Sequence, residues 1–165
     1  MGLNGSKRVT KLSGEYNAIL DINRITLPKE LRERLNAFHV VVSKGVDRCI
    51  WLYERDKWDE KVGNIIEENI DTFSRKDSRL VRKYIGSAIE QKIDSSGRIQ
   101  LSDSLREYAN ITKDCIVLGA MDHIEIWDSK SYGDYSNEDI EDNSAEVASA
   151  AEELSRRIKK QRGID

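Results

Sequence analysis

Apolar and polar positions follow two periods along this chain, and the same order of periods occurs twice. From Gly14 to Leu27 the period is two: Tyr16, Ala18 and Leu20 lead into a polar turn, and Ile25 and Leu27 lead out of it. Such alternation marks a strand–turn–strand unit with one buried face. Pro28 stands where Lys29-Glu30-Leu31-Arg32 begins a helical pattern. Proline is favoured at a first helical position, whose N–H has no intrahelical partner. Phe38 to Ser43 and Cys49 to Tyr53 are apolar, β-branched runs that read as strands, joined by a turn at Lys44-Gly45-Val46-Asp47. Trp58, Val62, Ile65, Ile66 and Asn69 then recur at roughly helical spacing. Ser74 and Asp77 resemble a capping box, opening a second helix with Leu80, Val81, Tyr84 and Ile85 as its stripe and Gly86 at its end. The first pattern now returns: strand Ala88 to Ile93, turn Asp94 to Gly97, strand Arg98 to Leu101, short helix Asp103 to Tyr108, strands Cys115 to Leu118 and Ile124 to Trp127. A last helix is predicted from Ser144 to Ile158, with Val147, Ala151, Leu154 and Ile158 on one face. Arg156, Arg157, Lys159 and Lys160 near its C-terminus suit the helix dipole.

The return is a repeat in sequence as well as in pattern. Leu20 to Leu35 reads LDINRITLPKELRERL and Ile93 to Ala109 reads IDSSGRIQLSDSLREYA. An offset of 74 residues also aligns Gly45 with Gly119, Tyr53 with Trp127 and Trp58 with Tyr132. Two copies are too few for a solenoid, and they imply two half-folds completing one core about a pseudo-two-fold axis. The expected organisation is a flexible leader (1–12), a first repeat (13–60), connecting helices (61–86), a second repeat (87–135), and an acidic segment with a C-terminal helix (136–165). The connecting helices are expected to pack on the sheet ends.

Composition narrows the class. Hydrophobic residues make up 38% and charged residues 35%, which describes a soluble chain with a modest core. No run approaches the ~20 apolar residues of a membrane helix, and the opening MGLNGSKRVTKL has no apolar signal region. Cys49 and Cys115 lack metal-like spacing and read as reduced thiols of a cytosolic protein. The net charge of −3 hides an asymmetry: the stretch from Asp134 to Glu153 carries eight acids and no Lys or Arg, which leaves about +5 for the rest. The remainder of the chain is mildly basic.

The candidate chemistry lies in the repeated Asp–turn–Arg. In Asp94-Ser95-Ser96-Gly97-Arg98, Gly97 is available for positive φ and Asp94 can accept turn amides. Arg98 is thereby fixed at a hairpin tip, as a planar, always-charged fork suited to phosphate or guanine. The first copy, Asp21-Ile22-Asn23-Arg24, is one residue shorter, and Asn23, next after glycine in tolerance of the left-handed region, replaces the Gly. The structural alternative is a buried Asp–Arg pair pinning each hairpin. Lys92, two residues before Asp94, is placed for a phosphate contact. Arg75, Lys76, Arg79, Arg82 and Lys83 crowd five cations into nine positions, and read as a solvated helix face that is also capable of phosphate contacts. His39 and His123 sit in or beside apolar strands as core or edge histidines. Trp51, Tyr53, Trp58 and Trp127 read as core or interface aromatics. Cys49 with His39 lacks an orienting third residue and an oxyanion loop, so catalysis is not indicated, and neither a metal nor a cofactor is called for.

GEYNAILD with RITLP, FHVVVSKGVDRCIWLYERDKW, and GSAIEQKIDSSGRIQLSDSLREYANITKDCIVLGAMDHIEIW closely resemble the MraZ family of the SpoVT/AbrB-like superfamily, over about Ser13 to Tyr135. The resemblance implies an α+β fold, a double-split β-barrel built from two tandem β-β-α-β repeats. It further implies a cytoplasmic, nucleoid-associated DNA-binding repressor of the division and cell-wall gene cluster. Such a protein assembles as a ring-like homo-oligomer on short direct repeats upstream of its own operon. The family's DNA-reading arginine maps directly onto Arg98, and onto Arg24 with a gap placed inside the turn. Asp21, Asn23, Asp94 and Gly97 become the turn-organising residues, and double-stranded DNA and further copies of the chain the partners. The alternative is a protein-interaction module on the same scaffold, antitoxin-like or an assembly protein. The acidic stretch reads as a solvated linker, or as a screen against non-specific DNA binding.

Overall fold

The computed structural model describes residues 12–141 and 145–163, which divide into two compact units between Ser129 and Lys130. In the first unit, β1 (Glu15–Asp21), β2 (Arg24–Thr26), α1 (Lys29–Arg32), β3 (His39–Lys44) and β4 (Ile50–Glu54) form one half. The connecting segment holds α2 (Arg55–Trp58), a π-helical turn (Asp59–Gly63), α3 (Asn64–Asn69), α4 (Arg75–Leu80) and a second π-helical turn (Val81–Ile85). The second half repeats the first: β5 (Ile89–Lys92), β6 (Arg98–Gln100), α5 (Asp103–Ala109), β7 (Asp114–Gly119) and β8 (Ile124–Asp128). The fold is α+β, and each half is β-β-α-β-β.

The eight strands form one antiparallel sheet in the order β5-β3-β4-β8-β7-β1-β2-β6. The halves are intertwined: β1 pairs with β7, β5 with β3, β4 with β8 and β2 with β6. The two terminal strands are tied by one side chain. The Gln91 amide donates to the Gln100 carbonyl and accepts the Gln100 N–H, both at 2.8 Å, in imitation of a ladder pair. The barrel is therefore nearly closed, which removes most of its exposed edge.

The pseudo-symmetry reaches individual bonds. Leu27 N–H donates to Gly97 O at 2.9 Å, and its counterpart Leu101 N–H donates to Asn23 O at 2.8 Å. Arg32 Nε donates to Leu27 O at 2.8 Å, and Arg106 Nε to Leu101 O at 3.0 Å. Inward positions fill a shared core in matched pairs: Ile25 with Ile99, Leu27 with Leu101, Leu31 with Leu105. Pro28 is the N-cap of α1, one place earlier than the sequence pattern implies, with φ −54° and ψ 136°. Its carbonyl accepts the Leu31 and Arg32 amides. The equivalent Ser102 caps α5 with its side chain, accepting Leu105 N–H at 3.3 Å.

The connecting helices pack differently from the sequence expectation. They lie on the outer face of β3 and β4, not on the sheet ends, because Val41 and Tyr53 point outward and form a second cluster with Trp58 and Val62. The capping box at Ser74 is half formed. Ser74 Oγ accepts Asp77 N–H at 3.2 Å, but Asp77 returns its carboxylate to the Asp71 amide.

In the second unit, acidic residues expected to form a linker are helical instead. α6 runs Ser129–Glu141, with Lys130 paired to Asp134 one turn on at 3.1 Å. α7 spans Ala145–Gln161 and exposes Val147, Leu154 and Ile158. Leader residues 1–11 and residues 142–144, including Ser144 of the expected last helix, lie outside the described residues. No helix among the described residues is long and apolar enough to cross a membrane.

Candidate nucleic-acid interface

β2 and β6 run side by side at the pseudo-two-fold axis, with Ile25 opposite Ile99, Arg24 opposite Gln100 and Thr26 opposite Arg98. Ile25 and Ile99 are buried inward. Period-two alternation therefore sends Arg24, Thr26, Arg98 and Gln100 to the other, outward face. The two arginines are diagonal neighbours across the ribbon, about 7–8 Å apart at the backbone. They belong to one surface, not to two independent hairpin tips.

The two turns hold their arginines differently. Asp94 Oδ1 accepts the Ser96 and Arg98 amides, each at 2.9 Å, and Oδ2 accepts Arg98 Nε at 3.0 Å. The backbone bond from Arg98, reinforced by its guanidinium and the Ser96 amide, holds the Asp94 carboxyl below its ordinary value. Arg98 and Asp94 form the pinning pair of the structural alternative, part-exposed at 38% and 37% and not buried. The terminal guanidinium nitrogens of Arg98 have no partner among the described residues. Gly97 takes φ +80°, and a Cβ there would run into the Arg32 guanidinium.

In the first copy, Asp21 pairs with Arg24 across a two-residue loop. Asn23 was expected in the left-handed region, but the positive φ falls on Ile22, at 58°. Positive φ at the first central position alone is the type II′ signature that suits a two-residue hairpin. Asn23 contributes its carbonyl to Leu101 instead. Neither Asp21 nor Arg24 has a side-chain hydrogen bond or ion pair among the described residues, so this turn is organised by its backbone.

Lys92 lies exposed on β5 opposite His39, two residues before Asp94. Thr26 and Gln100 were missed by the sequence reading, although the 74-residue offset makes them equivalent. Their place beside the arginines depends on β2 pairing with β6, which neither repeat reveals alone.

The opposite seam, β4 with β8, is closed chemistry. Glu125 accepts Trp51 Nε1 at 3.3 Å, Trp127 Nε1 at 3.0 Å and a His123 ring nitrogen at 3.2 Å. Asp122 holds the other ring nitrogen at 2.8 Å, and the His123 ring stacks on Tyr53 with centroids 4.8 Å apart. Burial alone would lower the His123 pKa, but the bonds to Glu125 and Asp122 outweigh it and raise it. Burial opposes the charge on Glu125 too, and His123 with the two indoles overcomes it, lowering that pKa. Cys49 and Cys115 are free and buried, which pushes both thiols up, Cys115 to about 11. Such thiols are protonated and poorly nucleophilic. His39 is exposed beside Glu90, 4.0 Å away. Among the described residues, no cluster of His, Cys, Asp or Glu is placed to hold a metal ion.

The family comparison agrees with the repeat. Residues 12–82 and 84–155 each match the family described as "MraZ protein, putative antitoxin-like". The chain belongs to the MraZ family. A relative from Treponema denticola, named Transcriptional regulator MraZ, is 37% identical over 144 residues, covering 87% of this chain and 99% of the relative. The match to MraZ thus extends past the barrel into α7, further than the motifs quoted above.

Proposed function

We propose that this chain is a DNA-binding transcriptional regulator, not an enzyme, and that the β2–β6 ribbon is its reading surface. The observation carrying the proposal is the outward pair Arg24 and Arg98 on one ribbon, with Thr26 and Gln100 completing the face and no carboxylate between them. A two-stranded ribbon fits the major groove, where arginine takes guanine O6 and N7 and glutamine takes adenine N6 and N7. Lys92 supplies a phosphate contact beside the ribbon. The name of the Treponema denticola relative supports the regulatory role.

The finer reading is a repressor of the division and cell-wall gene cluster, binding direct repeats upstream of its own operon as a ring-like oligomer. Ribbons of neighbouring subunits then meet successive major grooves, with sites recurring about every 10 base pairs, and avidity multiplies weak single contacts. The test is fluorescence anisotropy with the upstream duplex and a scrambled duplex at several salt concentrations. Tight, repeat-dependent, salt-sensitive binding is expected. Equal, weak binding to both duplexes would leave only a basic surface. The second reading, a protein-interaction module, draws on the exposed stripe of α7 and the antitoxin-like family description. It predicts capture of a protein partner and no salt-dependent preference for the upstream duplex.

A further inference from the structure

Three of the five cations crowded into the connecting helices are not merely a solvated face. Arg79, Arg82 and Lys83 converge with Lys44 and Arg48 on an open cavity of about 580 Å³, whose far wall is Tyr108 of α5. Lys44 Nζ, Arg48 Cζ and Lys83 Nζ lie 5.1, 5.2 and 5.6 Å from the centre of the same Tyr108 ring. The ring is itself anchored, its hydroxyl 2.9 Å from Gly45 O and 3.1 Å from Asp47 O, donating between them. Lys83 is held further by donating to Val46 O at 3.1 Å.

None of these five cations has a carboxylate partner among the described residues. Asp47 alone among the cavity's residues opposes them, leaving about four positive charges in one concavity. Like charges gathered in one concavity repel, and a bound anion would relieve that repulsion. Its place in the repeat sets it apart. The positions equivalent to Lys44 and Arg48 are Leu118 and Asp122, and the one equivalent to Tyr108 is Arg34, so the other half does not repeat this set of residues. It also lies away from the reading ribbon. Lys44 ends β3, while His39 at the start of β3 pairs with Lys92 beside the Asp94 turn. Five residues of extended strand put roughly 17 Å between the two ends.

We propose that this cavity is a phosphate-binding site, separate from the β2–β6 ribbon, for a ligand carrying adjoining phosphate groups. The excess charge matches a compact di- or triphosphate better than a single carboxylate, and arginine forks with lysine point charges are the usual phosphate donors. The phosphates are those of a DNA backbone or of a free phosphorylated molecule. The proposal stands whether or not the ribbon reads DNA.

The test is isothermal titration of inorganic tripolyphosphate into the full chain, with Arg98→Ala and the double variant Arg79→Glu/Arg82→Glu alongside. Both substituted positions of the double variant are exposed, so its fold should survive. Saturable binding by the wild type and equally by Arg98→Ala is expected, weakened roughly tenfold or more in the double variant. Anisotropy of duplex DNA with the double variant then assigns the source. Weakened DNA binding places the backbone in the cavity, and unchanged DNA binding points to a free phosphorylated ligand. No saturable tripolyphosphate binding, binding undiminished in the double variant, or binding lost in Arg98→Ala would each overturn the proposal.

Discussion

Arg98 and Arg24 occupy equivalent places but not equivalent states. Asp94 grips Arg98 through Nε and leaves the outer nitrogens to a ligand, whereas Arg24 is held by nothing among the described residues. A preorganised fork loses less side-chain freedom on binding. Arg98→Ala is therefore expected to reduce affinity for the specific duplex by about 1–3 kcal/mol, and Arg24→Ala by less; equal losses in anisotropy titrations would contradict this ranking. Ile22 supplies a second prediction. A β-branched residue at φ 58° is strained, and its side chain is 87% exposed, so little packing offsets the strain. Ile22→Gly should raise stability by up to about 1 kcal/mol in urea unfolding; a loss would mean that the isoleucine is covered in the assembled protein. The sequence made the Asp–turn–Arg legible because Asp, Gly and Arg each have a stated local use there. It misplaced the strain because a two-residue hairpin dictates which position takes positive φ, whatever residue stands there.

At the scale of elements, period-two alternation (β1, β2) and continuous apolar, β-branched runs (β3, β4, buried on both faces) located the strands to within a residue or so. Two things were not legible. One is the pairing of β2 with β6, a long-range choice that brings the arginines of two turns onto one ribbon. The other is the packing of the connecting helices, whose apolar stripe says that it needs cover but not which face provides it; Val41 and Tyr53 decide that. The β8 element carries a pH prediction. Because the folded pKa of His123 is raised, its stabilising contribution is complete below the unfolded value near 6.5 and is lost as pH rises through the folded value. Because that of Glu125 is lowered, its contribution is present above about 4.5 and is lost as pH falls through the folded value. Urea unfolding should show the wild type weakening as pH rises above 6.5, and His123→Gln flat over the same range. A wild type equally flat there would show that the ring is not charged between its two carboxylates.

For the whole molecule, the repeat is the organising fact, and the pairing turns it into a requirement. Each half leaves strands whose partners lie in the other half, and the core mixes residues of both. A fragment of residues 12–86 should accordingly be unfolded or dimeric by circular dichroism and sedimentation; a folded monomeric half would contradict an intertwined barrel. Charge belongs to the same scale: Arg24 and Arg98 stand on the β2–β6 ribbon, and five other cations line a separate cavity. The most direct test of the central claim compares the wild type with Arg24→Ala/Arg98→Ala on the upstream and scrambled duplexes, with thermal unfolding of both proteins measured in parallel. The account predicts that the preference for the upstream duplex collapses while the unfolding midpoint holds. A preserved preference would remove the β2–β6 ribbon as the reading surface, and a collapsed midpoint would make the arginines part of the fold instead.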